Sequence, residues 1–74
     1  MIHWYAVRCE PPRIEAVTTC NNLEEAVREM VADYCDQPEF GNVLTDEAGN
    51  IVALALYAGT KLIVVTSGGE VIRP

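Results

Sequence analysis

Apolar residues recur at Leu23, Ala26, Val27, Met30, Val31 and Tyr34. This i, i+3, i+4, i+7, i+8, i+11 spacing makes a single stripe on an α-helix. Asn22 stands just before the stripe as an N-cap, and Glu25 three residues on makes a variant capping box. The spacing predicts a helix from about Leu23 to Cys35 or Asp36, stopped by Gln37-Pro38.

Elsewhere the signals are those of strands and turns. Residues 2–9 are rich in aromatic and β-branched types and read as a first strand, stopped by Glu10-Pro11-Pro12. Residues 13–19 read as a second strand, hairpin-paired with the first. Beyond the helix, residues 42–45 form a short strand and Asp46-Glu47-Ala48-Gly49-Asn50 carries turn chemistry. Residues 51–58 and 61–66 are two strand-length apolar runs around Gly59-Thr60, and Ser67-Gly68-Gly69 precedes a short last strand at 70–73. The expectation is an α+β fold in the order ββαβββ(β). One helix packs on a mainly antiparallel sheet of four to six strands, and residues 1–74 form a single compact domain.

The 51–66 hairpin breaks the usual alternation. A sheet with one helix-covered face turns polar on its other face. Here Val52, Leu54 and Leu56 alternate with Ile51, Ala53, Ala55 and Tyr57, and Leu62 and Val64 with Ile63 and Val65. Both faces are apolar. A helix of about 13 residues is only about 20 Å long and cannot cover both. The sheet can curl into a barrel, the N-terminal hairpin can fold over the second face, or another chain can cover it. Small chains bury little of their surface, so association is a common remedy. The expected outcome is a homodimer through Ile51, Ala53, Ala55, Tyr57, Ile63 and Val65. Trp4 and Tyr5 are candidate interface aromatics, with a place in the core as the other reading for Trp4.

Charge sharpens the surface. The 74 residues carry 5 Lys+Arg against 11 Asp+Glu, a net charge of -6. Glu24, Glu25, Glu29, Asp33, Asp36 and Glu39 cluster in the helix and its exit, with Arg28 the one cation among them. Glu25, Glu29, Asp33 and Asp36 lie opposite or beside the apolar stripe. They form a solvated face, or a ridge that docks on a basic protein. Direct nucleic-acid or anionic-membrane binding is not expected, because the five cations form no patch. The apolar run 51–58 is far below the ~20 residues of a membrane-spanning helix.

Site chemistry is sparse. Cys9, Cys20 and Cys35 are odd in number and hold no C-x-x-C pair, which points to reduced thiols and a cytoplasmic location. Cys20 precedes the N-cap, where a thiol can be activated, but His3 is the only histidine and is remote in sequence. Residues 66–70 lack Walker spacing, and residues 46–50 lack a calcium-loop pattern. No catalytic, cofactor or metal set is expected. The reading is a non-enzymatic self-association or protein-interaction module. The alternatives are a small inhibitor of a nucleic-acid-binding or defence protein that uses the acidic helix face, and a small-ligand-binding domain.

Overall fold

The computed structural model describes residues 1–9, 11–32, 41–58 and 61–74. Its elements are β1 (Ile2–Cys9), β2 (Pro12–Cys20), α1 (Leu23–Ala32), β3 (Gly41–Thr45), β4 (Ile51–Ala58), β5 (Lys61–Thr66) and β6 (Val71–Ile72). The described residues form an α+β fold of the expected ββαβββ(β) order, with one helix after β2. All six strands join one antiparallel sheet in the order β2-β1-β3-β4-β5-β6.

The helix begins as its sequence dictates. Glu25 N donates to Asn22 Oδ1 at 2.8 Å, and Ala26 N donates to Asn22 O at 3.1 Å. The Glu25 carboxylate accepts from Asn21 N at 2.8 Å, one residue earlier than in a standard capping box. Ala26, Val27 and Met30 are buried, whereas Val31 is half exposed. At 100° per residue Val31 lies about 90° from the middle of the buried arc, at its flank. Asp33, Tyr34, Cys35 and Asp36, on which the expected helix end falls, lie outside the described residues.

Two turns are built alike. Gly49 and Gly69 both have positive φ, 85° and 86°. Gly49 N donates to Asp46 O, and Gly69 N donates to Thr66 O. In each, a turn is closed by a glycine in the left-handed region, which a side chain would strain. Asp46 and Thr66 also lend side-chain oxygens: Asp46 Oδ1 accepts from Ala48 N and Asn50 N, and Thr66 Oγ1 from Glu70 N.

The core lies between α1 and one face of the sheet. Trp4, Cys20, Leu44, Ala53, Ala55, Leu62 and Val64 join the buried helix residues there. Register decides this membership. Trp4 stands opposite Leu44, Leu44 opposite Ala53, and Ala55 opposite Val64.

Candidate functional site: an open apolar sheet face

The same register lays out the face turned away from the helix. One cross-strand row runs Ala16, Tyr5, Val43, Leu54, Val65, Val71. A second runs Ile14, Val7, Gly41, Leu56, Ile63. Directly opposed residues on neighbouring strands share a face, so each row is one continuous apolar ridge. Neither contains a charge. Ile14, Leu54, Leu56, Val65 and Val71 are exposed, Leu54 at 42% and Leu56 at 50%. Tyr5, Val7, Val43 and Ile63 are half-buried among them.

This layout corrects the surface expected from the sequence. Ala53 and Ala55 lie in the core at 1% and 0% exposure. Tyr57 is also on the helix side, and its hydroxyl donates to Met30 O at 3.4 Å. Ile63 and Val65 do face outward, but their partners across β4 are Leu56 and Leu54. Both faces of β4 are apolar, so composition cannot tell which set points inward, and the pairing with β3 decides it. Ile51 lies at the margin of the open face, beyond a register shift between Leu44 and Thr45. Trp4 is a core residue, while Tyr5 belongs to the open face.

A buried polar bridge, not foreseen from the sequence, sits on the core side. Trp4 Nε1 donates to Asn42 Oδ1 at 2.9 Å, and Asn42 Nδ2 donates to Ala55 O at 3.3 Å. The bridge ties β1, β3 and β4 together beneath the open face.

The remaining candidates stand apart. Cys20 is buried, which pushes its thiol up, and Glu25 and Glu29 act in the same direction. That is the reverse of nucleophile activation. His3 Nδ1 lies 3.2 Å from Thr19 Oγ1, its cross-strand neighbour. Among the described residues there is no disulfide, no group of three metal-ligating side chains, and no helix long and apolar enough to cross a membrane. Glu25 and Glu29 lie on the described part of the helix, while Asp33 and Asp36 fall outside it. No protein-family model matches the chain, and no curated protein or solved structure is significantly similar to it.

Proposed function

We propose that this chain is a non-enzymatic self-association module, a homodimer that packs face to face through the open side of its sheet. The observation that carries the reading is the fate of the two-sided apolar hairpin. The N-terminal hairpin extends the sheet edgewise and does not fold over it, and the end strands β2 and β6 are not paired with each other. Two of the three ways of covering the second face are therefore not used among the described residues. Among the described residues, cover by another chain is the way that remains.

Three further points favour a second copy of the same chain. The rows are uncharged, so two copies of a chain with net charge -6 can meet there with their acidic helices turned apart. Six strands spaced at ~4.8 Å give a face about 24 Å wide and roughly 400–500 Å² in projection. Side-chain relief adds to that, and two such faces approach the ~1,000 Å² that marks the lower end for a biological interface. The sheet edges are poor alternatives. β6 has two residues, and β2 carries Pro12, the charged pair Arg13–Glu15 and a register shift. These are the usual devices against edge-to-edge pairing.

Light scattering coupled to size exclusion tests the reading. The expected result is a dimer at high micromolar concentration, with Val65→Glu and Ile63→Glu eluting as monomers. A monomeric wild-type protein at that concentration overturns it.

A further inference from the structure

On the other side of the sheet, between α1 and the edge strand β2, lies a groove of roughly 310 Å³ lined by Trp4, Val17, Thr18, Glu29 and Ala32. The place of Val17 in it follows from the break in register of the first hairpin. Trp4 pairs with Thr18 and Tyr5 with Ala16, which leaves Val17 without an opposite residue. Successive strand residues normally point to opposite faces, and a bulge re-aims one of them. Here it brings both Val17 and Thr18 to the groove.

The lining has a definite chemistry. The Trp4 N–H is already committed to Asn42, so the indole offers the groove only aromatic carbon. Glu29 supplies an exposed carboxylate with no cation within 4.0 Å among the described residues. Thr18 adds a hydroxyl. The cations nearest in β1 and β2 are already engaged, with Arg8 and Arg13 both on Glu15. The negative field of Glu29 is felt at neighbouring Cys20, whose thiol it helps to raise.

A weakly hydrated, planar cation fits this combination best. A guanidinium can lie against aromatic carbon while donating to a carboxylate, which a compact ammonium does less well. The volume is at the low end for ligand pockets and suits one extended side chain rather than a nucleotide-sized cofactor. We infer that this groove receives the arginine side chain of a partner protein, with Glu29 accepting from the guanidinium and Trp4 and Val17 flanking its apolar stem. The groove lies on the face of the sheet opposite the proposed dimer seam, so the two readings stand or fall separately.

Trp4 is the only tryptophan in the chain and lines this groove, so its fluorescence is a probe of the groove free of other indoles. The test is a titration with a short end-capped peptide whose only charge is one arginine, against the same peptide with citrulline, which keeps the shape and removes the charge. The expected result is a saturable change in emission with the arginine peptide, in the millimolar range typical of a single side chain. It weakens about threefold or more with citrulline and in Glu29→Gln, the scale of one exposed ion pair. Glu24→Gln, a control on the same helix, leaves it unchanged. Equal responses to the two peptides, an unchanged response in Glu29→Gln, or no saturable response with arginine overturns the inference. Glu29 is exposed, so the variant is expected to keep the wild-type circular dichroism.

Discussion

Trp4 Nε1 donates to Asn42 Oδ1 at 2.9 Å across 38 residues of chain, and both side chains are buried. A buried indole N–H needs an acceptor, and a buried asparagine needs partners for its oxygen and its amide. Each meets the other's need, and Ala55 O takes the amide. Asn42→Ala leaves the buried Trp4 donor unsatisfied, and is expected to cost about 2–3 kcal/mol in chemical denaturation. Trp4→Phe combined with Asn42→Leu removes both partners together and is expected to cost less than the two single changes summed. An additive result would mean that the bond contributes nothing of its own.

The parity of β4 yields the sharpest contrast. Ala53 is in the core and Leu54, the next residue, is on the open face. Ala53→Glu buries an unpaired carboxylate and is expected to abolish cooperative unfolding. Leu54→Glu is expected to retain the wild-type far-ultraviolet circular dichroism. Unfolding by Leu54→Glu together with tolerance of Ala53→Glu would show the reverse parity.

The helix cap is a separate test of local stability. Asn22→Ala removes the acceptor of Glu25 N and is expected to lower stability by about 1 kcal/mol. Asn22→Asp keeps an acceptor at the helix N-terminus and is expected to stay near wild type. Urea midpoints of the three proteins, at equal slope, give the comparison.

Asp46 makes the fold sensitive to acid. Hydrogen bonds from Asn50 first, then from Ala48 and Gly49, hold its carboxyl below the ordinary value of 3.8. A depressed folded-state pKa stabilises the fold above that ordinary value, and the gain fades as pH falls through the lowered one. Asp46→Asn keeps much of the turn geometry without the titration. Between about pH 5 and about pH 2, its denaturation midpoint is expected to fall less steeply than that of the wild type. Parallel curves would remove Asp46 from the acid response.

Much of this was legible in the residues themselves. The helix start follows from Asn22 and Glu25, because capping bonds are local and close within one turn. The strands and both glycine turns follow from β-branched runs, prolines and positions that only glycine fills without strain. The excess of apolar surface in the 51–66 hairpin could also be counted from the sequence, and with it the need to cover a second face. Tertiary structure alone decided which residues make that face. Ala53 and Leu54 are both apolar, and a register shift of one residue exchanges their roles without changing composition or period. The same holds for Trp4, whose side of the sheet depends on its pairing with Leu44, and for Asn42, a polar residue whose burial is favourable only because an indole lies 38 positions away. The place of Val17 in the groove beside Glu29 depends on a bulge that leaves it without an opposite residue. Local sequence sets conformations over a few residues, but pairing between distant strands sets which side of each strand meets water.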